Sequence, residues 1–232
     1  PVHRLTGITT PLGYERRFTY DVADNIVKET DNLDRTSTSD YDIMHRMTKA
    51  VDPNGGVTTY GYDIRGNENQ LTNALGYTWN YQYDLVDQLT ASVDPEGKAT
   101  KVAYNLVGEV AAITKPGERI TSFTYDGNYN HTMITDPKGY VYQYTYDLDN
   151  RLIGTMDLLG QTESITYDNG SRVTSVRDKV GLTEYYTYDS QGNVVRVNAT
   201  DGLITRYSYD KLDNLTSLTI PNNLCASSIY DD

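Results

Sequence analysis

One dipeptide returns along this chain at a fixed step. Tyr-Asp stands at Tyr20-Asp21, Tyr41-Asp42, Tyr62-Asp63 and Tyr83-Asp84. It comes back at Tyr125-Asp126, Tyr146-Asp147, Tyr167-Asp168, Tyr188-Asp189, Tyr209-Asp210 and Tyr230-Asp231, with Tyr104-Asn105 filling the gap. Every step is 21 residues, without insertion or deletion. A period in this range marks a repeat architecture, in which each unit buries its apolar face only against its neighbours. The sequence therefore divides into a partial unit over 1–19, ten full units over 20–229, and the start of a further unit over 230–232. Pro11, Gly13 and Phe18 carry the ladder back into the partial unit. No linker or change of composition breaks it, so the expectation is a single array over 1–232.

With Tyr as position 1, the physics of a unit is readable. Position 6 is polar throughout, as in Asn25, Arg46, Asn67 and Gln88, and position 7 is apolar in eight of ten units. Position 15 is Gly at Gly55, Gly76, Gly97, Gly139, Gly160, Gly181 and Gly202. The runs Asp52 to Gly55, Asp94 to Gly97 and Asp136 to Gly139 read Asp-Pro-x-Gly. Pro presets φ, Asp caps its own turn and Gly takes a positive φ, so these are β-turns. A second turn follows each Tyr-Asp, as in Asp63-Ile64-Arg65-Gly66-Asn67. Two turns in 21 residues leave two strands of about five to seven residues. Positions 18, 20 and the next Tyr lie two apart and should share a face. The repeated tyrosine rings should then stack in rows along that face, each ring one unit from the next.

The predicted fold class is therefore all-β: tandem 21-residue β-hairpin repeats forming a long curved antiparallel sheet, almost free of helix. Roughly twenty strands at ~4.8 Å make a ribbon on the order of 95 Å. Wrapped once, that ribbon closes a circle only ~30 Å across. A 100-residue domain has a radius of gyration near ~13 Å, so a wall lined with side chains leaves it no room. This stretch alone should not enclose a folded domain, and its open terminal strands should recruit other strands edge to edge.

Composition narrows the function. The chain holds 22 Tyr against 2 Phe and 1 Trp. Its net charge of −12 argues against nucleic acid, whose binders need a basic face, and against an anionic membrane surface. No apolar stretch approaches the ~20 residues of a membrane span. The single Cys225 excludes internal disulfides and cysteine-rich zinc sites. With no initial Met and no signal peptide, the sequence reads as an excerpt or a processed product. Its many Asp residues are explained as turn caps, and the nonapeptide of calcium β-rolls is missing. His3, His45 and His131 are many strands apart. No nucleophile elbow or phosphate-cradling loop appears. Sequons at Asn130, Asn169, Asn198 and Asn214 arise readily in so Asn- and Thr-rich a chain. The expectation is no catalytic, cofactor-binding or metal-binding residues, and no enzyme.

The pattern Tyr-Asp-x-x-Gly-Asn-Leu, then Asp-Pro-x-Gly, then x-Thr-x-Tyr-x-Tyr-Asp resembles the YD repeats of the Rhs family. Asp94-Pro95-Glu96-Gly97-Lys98-Ala99-Thr100 and Thr205-Arg206-Tyr207-Ser208-Tyr209-Asp210 carry its two halves. The family includes bacterial Rhs polymorphic toxins, cell-wall-associated relatives, the B and C components of insecticidal toxin complexes, and teneurins. The resemblance implies a β-strip that spirals into a hollow shell, which in bacterial members sequesters a toxin domain. It also implies a secreted or cell-surface setting, through bacterial export. The partners implied are a cargo or toxin domain and neighbouring repeats of a longer parent chain, with edge-to-edge self-association. The alternative is an adhesion or glycan-binding surface built from the Tyr ladder. Some units depart from the pattern: Lys115-Pro116-Gly117-Glu118 shifts the Gly by one, Asp34 replaces it, and Ile220-Pro221-Asn222-Asn223 lacks it. Glu68 and His131 occupy the apolar position 7. The segment that ends toxin-class cores, Asp-Pro-x-Gly followed by Leu and a Gly-rich run, does not occur.

Overall fold

The computed structural model describes residues 4–220 and the backbone of 224–227. Pro221 to Asn223, Tyr230-Asp231, His3 and the Cys225 side chain lie outside the described residues. The chain forms two compact units, Pro1–Ile120 and Thr121–Asp232. No helix occurs among the described residues.

The first unit opens with β1 (Gly7–Thr9), β2 (Glu15–Tyr20), β3 (Ile26–Asp31) and β4 (Thr36–Tyr41). It continues with β5 (Met47–Val51), β6 (Val57–Tyr62), β7 (Glu68–Thr72) and β8 (Thr78–Tyr83). It closes with β9 (Leu89–Val93), β10 (Ala99–Tyr104) and β11 (Val110–Lys115). Each strand pairs antiparallel with the next in sequence. The second unit holds most of β12 (Arg119–Tyr125), then β13 (His131–Thr135), β14 (Val141–Tyr146) and β15 (Leu152–Met156). β16 (Thr162–Tyr167), β17 (Val173–Arg177), β18 (Thr183–Tyr188) and β19 (Val194–Ala199) follow. Last come β20 (Ile204–Tyr209), β21 (Leu215–Ile220) and β22 (Leu224–Ser227), again paired in sequence order. The hairpin meander expected from the repeat is the observed fold.

The two turns of a repeat are one structure used twice. In Asp52-Pro53-Asn54-Gly55-Gly56 the Asp52 N–H donates to the Gly56 carbonyl at 2.9 Å and the Gly55 N–H to the Asp52 carbonyl at 3.0 Å. In Asp63-Ile64-Arg65-Gly66-Asn67 the equivalent bonds measure 2.9 and 3.1 Å. Both are three-residue hairpin loops whose last residue is left-handed, with φ +85° at Gly55 and +101° at Gly66. The left-handed position survives loss of Gly: Asp34 adopts φ +59°, and Tyr129, at the Gly66-equivalent site, adopts +68°. In the departing turn near residue 117, Gly117 and Glu118 are both left-handed.

The odd period has a structural cause. Beside each tyrosine the register slips by one residue: Gly61 faces Gln70, yet Tyr62 faces Glu68, leaving Asn69 extra. The slip recurs beside Tyr20, Tyr41, Tyr83 and Tyr104 in the first unit. It recurs beside Tyr125, Tyr146, Tyr167, Tyr188 and Tyr209 in the second. The extra residue, at position 8, shares a face with position 9: Thr166 Oγ1 lies 2.7 Å from both Thr174 Oγ1 and Ser175 Oγ. Side chains alternate along a strand, and both turns preserve the face, as in the pairs Tyr41↔Met47 and Val51↔Val57. An odd period without a bulge would therefore send successive tyrosines to opposite faces. The bulge absorbs one residue, and every position-1 Tyr returns to the same face.

Two unlike faces result. On one, position 20 pairs with position 10 of the next repeat: Tyr60↔Leu71 and Val102↔Ile113 in the first unit, Ile165↔Val176, Tyr186↔Val197 and Tyr207↔Leu218 in the second. Such apolar cross-strand pairs contribute about 0.2–1 kcal/mol each. The other face carries short or charged side chains, such as Thr38, Lys49 and Thr59, or Ser164, Ser175 and Arg196. There is almost no closed core. Among the described residues only Ala91, at 8% exposure, is buried. Within each unit nearly all described side chains on both faces of the open sheet stay half-buried or exposed.

Candidate functional site

Most repeats carry one constellation of their own: the Asp of Tyr-Asp (Asn105 in one repeat), the polar residue at position 6, and the Tyr of the next repeat. Asp63 illustrates it. Its Oδ1 accepts the N–H groups of Arg65 and Asn67, both at 2.9 Å, and its Oδ2 accepts Asn67 Nδ2 at 3.1 Å. A carboxylate is suited to this because one oxygen can take two amide donors while the other remains free for a side chain. Where position 6 is Arg, the same oxygen takes a guanidinium: Arg46 to Asp42 at 2.7 Å, Arg151 to Asp147 at 2.7 Å. These bonds act on the carboxyl groups. The side-chain bond from Arg46 holds Asp42 below the usual carboxylate range, and those from Asn25, Asn130, Arg151 and Asn214 do the same for Asp21, Asp126, Asp147 and Asp210.

Position 6 also reaches forward. Asn67 Nδ2 donates to Asp87 Oδ1 at 2.7 Å, Asn130 to Asn150 at 2.9 Å, Asn193 to Asp213 at 2.7 Å and Arg151 Nη1 to Ser171 Oγ at 3.0 Å. The acceptor is the left-handed residue of the next Tyr-Asp turn. Within each unit, polar side chains thus tie successive turns along one edge of the sheet.

The tyrosine closes the constellation. Pairing between β5 and β6 stops at Lys49↔Thr59, where the bulge opens the ladder. Met47 O, left beyond that point, accepts the Tyr62 hydroxyl at 2.8 Å. Tyr83 bonds Glu68 O at 2.9 Å, Tyr104 bonds Leu89 O at 2.9 Å, Tyr167 bonds Leu152 O at 2.9 Å and Tyr188 bonds Val173 O at 2.7 Å. Burial pushes the Tyr62, Tyr83, Tyr146 and Tyr209 phenols up. Burial, then the hydrogen bond to Glu184, pushes Tyr186 up to about 12.

The position-1 tyrosines share one face, as expected, but the expected stacking is not found: among the described residues their rings do not stack on one another. Consecutive rings sit two strands apart, roughly 9.6 Å, beyond the 4.5–7 Å of aromatic pairs. Arginine fills the interval where position 6 provides it. Arg46 lies 4.4 Å over the Tyr62 ring, Arg151 4.7 Å over Tyr167 and Arg172 5.0 Å over Tyr188. Sequence reasoning missed this arginine role and the bulge. The odd period was the available signal for the bulge.

The histidines are placed apart. His45 Nδ1 is 2.9 Å from Asn25 Oδ1, and His131 packs on the Tyr125 ring at 4.5 Å. Among the described residues no group of three or more His, Cys, Asp or Glu side chains converges as metal ligands. Of the sequons, Asn130 and Asn214 spend their amides on Asp126 and Asp210. Asn198 accepts from Arg196, and Asn169 stands exposed at a turn tip. What the constellation does chemically is fasten: donors from the turn and the next tyrosine occupy its carboxylate and carbonyl oxygens.

A sheet assembled in this way is a tandem-repeat structural protein, whose repeated unit is a bulged β-hairpin locked by its own Asp and by the next Tyr. The RHS Repeat family matches residues 1–36, 45–76, 68–99 and 188–223, more than half of the sequence. The chain belongs to the RHS repeat family. No curated protein matches it. Among solved structures it is similar to TcdB2-TccC3, at 17% identity and a TM-score of 0.49 over 93% of this chain and 15% of that one. TcdB2-TccC3 without its hypervariable C-terminal region gives 17%, 0.49, 93% and 14%. The Photorhabdus luminescens Tc holotoxin pore gives 17%, 0.49, 93% and 14%. The chain spans about 15% of the length of the first of these.

Proposed function

We propose that this chain is a stretch of wall in a YD-repeat shell, which encloses or presents a cargo or toxin domain of a longer parent chain outside the cell. The two-faced sheet carries this reading. One face is aromatic and apolar, the other polar, and only Ala91 among the described residues is buried. An apolar face of this extent is stable in water only when something covers it. Membership of the RHS repeat family agrees with a section of a repeat wall. Its role in that wall is structural, with no reaction of its own.

The glycan-adhesion reading has less behind it. It depends on tyrosine hydroxyls, and those of Tyr62, Tyr83, Tyr104, Tyr167 and Tyr188 already donate to carbonyls.

The deciding experiment is limited proteolysis of the parent protein. The cargo segment should resist protease in the intact parent and become sensitive when residues 20–229 are deleted. Equal sensitivity in both would remove the shell reading.

A further inference from the structure

Most arginines of this acidic chain are matched to carboxylates: Arg35 to Asp31, Arg46 to Asp42, Arg65 to Asp87, Arg151 to Asp147 and Arg172 to Asp168. Arg196 on β19 and Arg206 on β20 are not. They are direct cross-strand partners, so both project from the polar face, and both are exposed. The Ala199 N–H donates to Leu203 O in the intervening turn. Counting back from that bond through Asn198↔Ile204 and Val197↔Thr205 makes Arg196↔Arg206 a non-hydrogen-bonded pair, the kind in which side chains come closest, at about 4.5 Å between Cα atoms.

Like charges directly opposite each other destabilise a sheet. Among the described residues neither arginine forms an ion pair, and the one bond either makes is from Arg196 Nε to Asn198 Oδ1 at 2.7 Å. The flanking partners are hydroxyl residues, Thr187 opposite Arg196 and Thr219 opposite Arg206. Tyr185, half exposed, is two residues along β18 on the same face.

We propose that Arg196 and Arg206 form a binding site for a tetrahedral oxyanion, the phosphate or sulfate group of a small ligand, with the Thr187 hydroxyl as an added donor. Directly opposed residues bring two guanidinium groups to one place on the face, and their Nη donors suit such an anion. A bound dianion also removes the repulsion between them. The site is on the face opposite the tyrosine rows and is separate from the turn constellation.

The test is a titration of the purified chain with inorganic phosphate, inorganic sulfate and chloride at constant ionic strength, followed by isothermal calorimetry and by NMR of the arginine Nε–H signals. Saturable binding of phosphate or sulfate over chloride is expected, and the tighter of the two identifies the source of the group. Arg196→Gln and Arg206→Gln should each weaken it about tenfold. Arg206→Glu should abolish binding and yet raise the melting temperature, because the like-charge pair becomes an opposite-charge pair. Equal, non-saturating responses to all three anions, or unchanged binding in the Gln variants, would overturn the proposal.

Discussion

The hydroxyl of Tyr62 donates to the carbonyl oxygen of Met47 at 2.8 Å, across fifteen residues of chain and the gap that the bulge opens between their strands. The bulge that keeps the tyrosines on one face also strips a carbonyl of its ladder partner, and the next tyrosine supplies the replacement.

Tyr62→Phe keeps the ring and removes that bond. It should lower stability by about 1 kcal/mol, as should Tyr83→Phe, which frees Glu68 O. Urea denaturation of each variant measures this. Unchanged midpoints would mean that water satisfies the carbonyl equally well.

Tyr129 holds φ +68° on an exposed turn, a conformation that a side chain opposes. Tyr129→Gly should stabilise the protein by about 1 kcal/mol, whereas Gly66→Ala, at φ +101°, should destabilise it. Thermal melts of the two variants should shift in opposite directions.

Acid should loosen the Tyr-Asp turns. The folded-state values of Asp21, Asp42, Asp126, Asp147 and Asp210 lie below their unfolded values, chiefly through the bonds from position 6. Their contribution is present above about pH 4 and is lost as the pH falls through the folded values. The raised phenols work in the other direction. Tyr186, at about 12, contributes below its unfolded value and loses that contribution as the pH rises towards 12. Denaturant midpoints measured from pH 2 to pH 12 should fall at both ends.

Chelation should change nothing. The Asp63 oxygens are occupied by Arg65, Asn67 and the Asn67 amide, and Asp42 is occupied by Met44 and Arg46. Melting temperatures in EDTA and in millimolar calcium should coincide, and a substantial rise with calcium would show that the turns bind it.

Much of this molecule was legible in one dimension because a repeat multiplies weak local signals. The step between Tyr20 and Tyr41 says little by itself, but its recurrence fixed the hairpin, both turns and the all-β class. Asp52 and Gly55 revealed their turn because capping and left-handed φ are properties of single residues. Less legible was the role of position 6, since Arg46 meets Asp42 four residues back and Tyr62 in the following hairpin, a coincidence that no linear pattern displays.

The sequence by itself determined the period, the turns and the alternation, because each follows from residues within a few positions of one another. Tertiary structure alone decided where the extra residue of the odd period is absorbed. Once it is placed at position 8, Thr48 bulges, Tyr62 returns to the face of Tyr41, and Met47 O is left for its hydroxyl. It also decided that Arg196 stands opposite Arg206. Both outcomes depend on register between strands, and register is set by how whole hairpins pair, so no single residue announces it.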